Sequence, residues 1–91
     1  MYNAYNQDNF NSFQTLQDAR KDLIGEIEAV MQYDDHVQTS TNNAARQTWI
    51  NIRDEELMHV GELLALLNYL NPEQKKFVEQ GVNEFNERLR R

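Results

Sequence analysis

The sequence predicts an all-α protein: an antiparallel helical hairpin followed by a short C-terminal helix, the hairpin pairing with a second copy to make a four-helix bundle. Three observations carry this. Only one proline and three glycines interrupt 91 residues. No run alternates apolar with polar residues as a half-buried strand must. Apolar residues instead recur three and four apart through two long stretches, the spacing that lines one side of a helix.

The opening residues, Met1 to Asn11, are polar and rich in asparagine. They read as a flexible tail ahead of a single domain over 12–91, and lack the basic-then-apolar layout of a signal peptide. The first helix is expected from about Ser12 to Gln38, with Leu16, Ala19, Leu23, Ile27, Val30 and Val37 at helical spacing. The polar cluster Thr39-Ser40-Thr41-Asn42-Asn43 then supplies turn and cap chemistry. A second helix follows from about Asn43 to Tyr69, and so short a turn makes the pair antiparallel. Asn71-Pro72-Glu73-Gln74 marks a stop and a restart. Asn71 is the expected N-cap, Pro72 the first helical residue, and Gln74 the partner that closes a capping box. The third helix runs to about Arg88, where a basic end complements the helix dipole.

Composition excludes several function classes. With no cysteine, the chain has no disulfide framework, zinc finger, iron–sulfur cluster or thiol nucleophile. A net charge of −6 argues against nucleic-acid binding. The longest apolar stretch, around Leu63 to Leu67, is far short of a membrane span. A cytoplasmic location is the expectation. At this size a single core is marginal, so oligomerisation or a metal is expected to add stability.

The seam of the hairpin is not uniformly apolar. On the second helix the three-four spacing runs Trp49, Ile52, Glu56, His59, Leu63, Leu66 and Leu70; on the first, Leu16, Ala19, Leu23, Glu26, Val30, Tyr33 and Val37. Glu26, Glu56 and His59 thus fall where side chains should be apolar. Buried, unpaired carboxylates cost several kcal/mol, and no lysine or arginine occupies either stripe, Arg53 lying one position off. A metal ion satisfies both carboxylates and the imidazole together. Di-iron helical bundles take one Glu from each of two helices and Glu-x-x-His from each of two others. This chain holds half of that set, and a twofold homodimer completes it. The four carboxylates of a dimer balance two divalent cations. Oxygen-rich ligation with one imidazole suits iron or manganese, while zinc or cobalt can substitute. Two alternatives stay open on these residues: a polar layer that only sets helix register, and a metal-binding protein with no redox activity.

Neighbouring residues are read more plainly. Tyr33 is a core tyrosine whose hydroxyl is within reach of a ligand carboxylate. Asp54 and Glu55 are solvated, with orientation of His59 as the functional alternative. Glu28, Asp34, Asp35 and His36 form a hydrated acidic face, with an iron approach route as the alternative. Met31 and Met58 fill the core.

At these positions the chain resembles the ferritin-like superfamily. Glu26-Ile27-Glu28-Ala29-Val30-Met31-Gln32-Tyr33 is similar to the rubrerythrin first-helix pattern Glu-x-x-Ala-x-x-x-Tyr, and Asp54-Glu55-Glu56-Leu57-Met58-His59 to its Asp-Glu-Glu-x-x-His pattern. A single helix pair with a short third helix is similar to the encapsulated ferritins, a resemblance that covers about Leu16 to Gly81. It implies a ferroxidase that oxidises ferrous iron at a di-iron centre shared by two subunits. Glu26, Glu56 and His59 carry over as ligands and Tyr33 as the neighbouring catalytic-site residue. It further implies a decameric ring of dimers inside an encapsulin nanocompartment. Two features depart from the family pattern. No Leu- and Gly-containing docking tail occurs up to Arg91, and Gln32 stands where some relatives carry tryptophan, which argues against an accessory metal site outside the dimer.

Overall fold

Three helices follow one another through short turns: α1 over Gln7–Thr39, α2 over Asn43–Leu70 and α3 over Pro72–Leu89. The structure is a computed structural model that describes the backbone of residues 7–91 and the side chains of residues 12–91. Helix α1 begins at Gln7 rather than near Ser12. Residues 7–11 carry no apolar periodicity, but extending an existing helix costs far less than nucleating one. The rest of the expected tail, residues 1–6, lies outside the described residues.

The turns use the expected caps, with one exception. Asn42 is the N-cap of α2 and accepts from the Ala45 amide at 2.9 Å. The α1 end is closed by Arg46, whose Nε–H donates to the Val37 carbonyl at 3.0 Å. At the second turn Asn71 accepts from the Gln74 amide at 3.1 Å, and Pro72 occupies the first helical position. The capping box does not close. The Gln74 side-chain oxygen is taken by two N–H groups of the Arg20 guanidinium, and the Asn71 amide donates instead to Leu67 O at 3.0 Å. A charged donor fork outcompetes a neutral amide for that oxygen. The outcome ties the first turn of α3 to α1.

The hairpin is antiparallel, and its register is legible from side-chain pairs. Glu26 faces His59, Asp34 faces Arg53, and His36 faces Trp49. Leu16, Ala19, Val37 and Leu67 are the buried apolar residues among those described; Leu16, Ala19 and Leu67 form one cluster, with Leu23 and Leu70 packed against it. Leu67 belongs to neither expected stripe. It is 4% exposed, whereas Leu66, placed on the seam by strict three-four counting, is 40% exposed. An α-helix advances 3.6 residues per turn, so a straight helix drifts off a 3.5-residue stripe, and Leu67 comes to face α1 instead. Helix α3 leaves the hairpin, touching α2 near the turn while its backbone stays clear of α1. The molecule is a slab of 54 × 42 × 15 Å, essentially one helix thick. Fourteen large apolar residues remain exposed among those described, so one chain cannot cover its own apolar surface.

Candidate metal centre

The three expected ligands meet at mid-hairpin. Glu26 projects from α1, while Glu56 and His59, three apart on α2, share one face. His59 Nδ1 stands 3.5 Å from Glu26 Oε1 and 3.5 Å from Glu56 Oε1. One donor atom from each residue lies within 4.8 Å of the others. The carboxylates are sheltered, at 24% and 21% side-chain exposure, while His59 is 47% exposed. Glu26 Oε2 is buried and has no hydrogen-bond partner. A buried carboxylate oxygen left bare is costly unless something fills the space. A cation among these three donors removes that cost, so the residues present fit a metal ion.

Electrostatics at the centre show the same tension. Hydrogen bonding to the Glu26 carboxyl, then desolvation, then the Glu26 charge raise Glu56 above the ordinary carboxylate range. His59 pulls it the other way, and more weakly. Two carboxylates this close resist double ionisation, and a divalent ion relieves that resistance as it enters.

The centre opens onto a cleft of about 480 Å³ lined by Glu26, Glu56, His59 and Leu63, with Lys21, Asp22, Gly25 and Glu62 around it. The last four did not emerge from stripe reading. A signal for two of them was present: Asp22 lies four residues before Glu26, and Glu62 continues the three-residue step through Glu56 and His59. Both sit off the apolar seam, so a search for polar residues in the core passes over them.

Tyr33 is two turns from Glu26 on the same stripe, about 10 Å along the axis. It does not line the cleft; its ring meets His36 edge-on at 6.1 Å between centroids. His36 in turn packs on Trp49 at 4.8 Å. Asp34 accepts from Arg53 at 2.9 Å. Asp54 accepts from the same guanidinium at 3.0 Å, and so is engaged there rather than with His59. The guanidinium thus straps α1 to α2 one turn from Glu56, and these hydrogen bonds hold its own pKa above the usual value. Met31 and Met58, expected as core filler, are 55% and 63% exposed. They point away from the α1–α2 contact, so within one chain they fill nothing.

No protein-family model matches the chain. Among curated proteins it is 34% identical over 65 residues to a ferritin-like–encapsulin shell fusion protein of Pyrococcus furiosus, a match spanning 71% of this chain and 19% of that protein. Among solved structures it superposes on the crystal structure of the encapsulated ferritin domain from Pyrococcus furiosus. The TM-score is 0.80 and the sequences are 30% identical, covering 84% of this chain and 78% of that one. Among the described residues, no helix is long and apolar enough to cross a membrane.

Proposed function

The chain belongs to the encapsulated-ferritin family, and from that premise we propose that two copies form a ferroxidase centre that takes in Fe(II) and releases Fe(III) for storage. The observation that carries this reading is the convergence of Glu26, Glu56 and His59 beside an unpartnered, buried Glu26 oxygen. Iron is the substrate here rather than a resident cofactor, with manganese, zinc or cobalt as ions the same donors would accept.

Each residue has a defined task. Glu26 and Glu56 contribute charge: two chains bring four carboxylates, which neutralise two ferrous ions in a sheltered site. Glu56 binds the ion in its ionised form, because a ligand oxygen must be ionised, and entry of a cation favours that form against the raised pKa of its carboxyl. His59 presents Nδ1 toward both carboxylates and is the more exposed member, which leaves it open to a second chain that would close over the cleft. Three donors from one chain leave an ion under-coordinated. The twofold partner adds its own three, and positions left unfilled admit dioxygen, the electron acceptor. Tyr33 stands along the stripe from the centre as the neighbouring residue of the catalytic region. The fused relative suggests the wider setting: a cytoplasmic encapsulin shell around a ring of such dimers, holding the ferric product.

Anaerobic titration of metal-free protein with ferrous iron, followed by air, tests the proposal. Mass and near-ultraviolet absorbance are the readouts. Saturation near one iron per chain with an iron-dependent gain in mass, then a ferric absorbance band on aeration, is the expected result. Tight binding without oxygen uptake would make the protein a metal buffer. No uptake at all would leave the acidic layer as a register device.

A further inference from the structure

Helix α3 is held to the hairpin by very little. None of its residues is buried, and its backbone makes no close approach to α1. A single residue, Asn71, separates it from α2. Among the described residues, the hydrogen bonds that join α1 to α3 all run from Arg20 to Gln74. The direction of α3 therefore rests on two neighbouring features, the Asn71 link and the Arg20–Gln74 pair.

Arg20 is half-buried, yet it forms no ion pair among the described residues. Its acceptors are two neutral side-chain carbonyls. Nη1–H donates to Gln17 at 2.7 Å, while Nε–H, at 3.1 Å, and Nη2–H both donate to Gln74 Oε1. A carboxylate at position 74 would make a stronger, charge-assisted pair; a neutral amide oxygen is released more easily. Asn71 serves both helices that meet there. Its amide donates to Leu67 O at 3.0 Å and ends α2, while its Oδ1 accepts from the Gln74 amide at 3.1 Å and starts α3. The Asn71 amide and the Gln74 side-chain oxygen are the donor and acceptor that a closed capping box would join. Each is engaged elsewhere: the amide has one proton to give, and two donors already fill the oxygen's lone pairs.

We propose that Gln74 is a two-position latch on α3. In the latched position, the one seen here, Arg20 holds Gln74 and α3 keeps a fixed direction on the hairpin. In the released position Gln74 Oε1 accepts from the Asn71 amide, which leaves Leu67 O. Helix α2 then gives up its last hydrogen bond, the backbone turns at Asn71, and α3 swings as a unit. The start of α3 survives the exchange, because the bond from the Gln74 amide to Asn71 Oδ1 is kept and the capping box adds a second. Arg20 keeps Gln17 as an acceptor in both positions. The exchange changes where the exposed Phe77, Val82 and Phe85 point. No residue of the metal centre takes part, so the latch is tested separately from the ferroxidase reading.

The chain has no cysteine, so a pair of spin labels can be attached through Thr15→Cys on α1 and Glu84→Cys on α3, both exposed positions. Pulsed dipolar spectroscopy reads the distance between them, and dilution into excess unlabelled chain confines the reading to one molecule. Circular dichroism follows helicity. The labelled protein with Arg20 and Gln74 intact is expected to give one dominant distance. Arg20→Ala is expected to add a second distance with helicity kept. Arg20→Lys retains the packing of the stem but not the donor fork, and it carries the test if Arg20→Ala fails to fold. Adding Gln74→Ala to either Arg20 variant is expected to abolish the second distance, because nothing then draws the Asn71 amide from Leu67. One unchanged distance in both Arg20 variants would overturn the latch. A second distance that survives the added Gln74→Ala change would overturn the exchange on which the latch depends.

Discussion

The two broad faces of the hairpin are built from the same helices yet solve opposite problems. One holds Glu26, Glu56 and His59 with Asp22 and Glu62 nearby, so it carries charge that a single chain cannot fully satisfy. The other holds Ile24, Ile27, Met31, Leu57 and Leu64, apolar area that a single chain cannot cover. Water tolerates the second deficit at a cost proportional to area. The first is removed by an ion of the right charge. A slab one helix thick gains from having both, because its own core of Leu16, Ala19, Val37 and Leu67 is too small to stabilise it well. The two deficits lie on different sides of the slab, so each side can be altered with the other left in place.

The sharpest way to break that division is to remove a ligand. Glu26→Ala, Glu56→Ala or His59→Ala should lower the rate of iron oxidation by about 100-fold or more while helicity is kept, given that even outer-shell partners of metal ligands are worth 10- to 100-fold. Oxygen uptake after ferrous loading measures it, and rates within a few-fold of wild type in all three would remove the centre from this face.

A smaller effect is expected from pH. Because Glu56 holds its proton to higher pH than an ordinary carboxyl, ferrous affinity should rise with pH by up to about tenfold per unit through its titration, then level off. The metal-free fold runs the other way. A folded-state pKa above the unfolded one means the native state binds more protons, so this group's stabilising contribution is present in acid and fades as pH rises through the raised value. Glu56→Gln should flatten both slopes. Calorimetry across pH measures the first and thermal melts the second.

Effects confined to the hairpin itself should be smaller and should leave iron uptake unchanged. Asn42→Ala removes the cap on α2, a loss of about 1 kcal/mol, read as a drop of several degrees in melting temperature for a chain this size. Arg53→Ala cuts the strap to Asp34. Since both partners of that ion pair are solvent-accessible, the loss should be read only as a small drop in melting temperature, less than that of Asn42→Ala. A loss of iron affinity in Arg53→Ala at unchanged stability would instead show that the strap positions Glu56.

Much of this molecule is readable from local chemistry alone. Helix spacing, the Asn42 and Asn71 caps and Pro72 place all three helices to within a residue or two, the start of α1 excepted, because they depend on neighbours in the chain. The meeting of Glu26 with Glu56 and His59 is also foreshadowed, since polar residues in an apolar seam demand a partner. Other outcomes were decided only in three dimensions. Leu67 replaced Leu66 against α1, and Gln74 turned from its own cap to Arg20. Asp22 and Glu62 came to line the cleft, and Ile24, Ile27 and Met31 were left on the far side. Periodicity states which residues share a stripe. It does not state how far each helix is rotated about its axis when two helices pack, and that rotation determines which residues line the cleft and which are left bare on the far side.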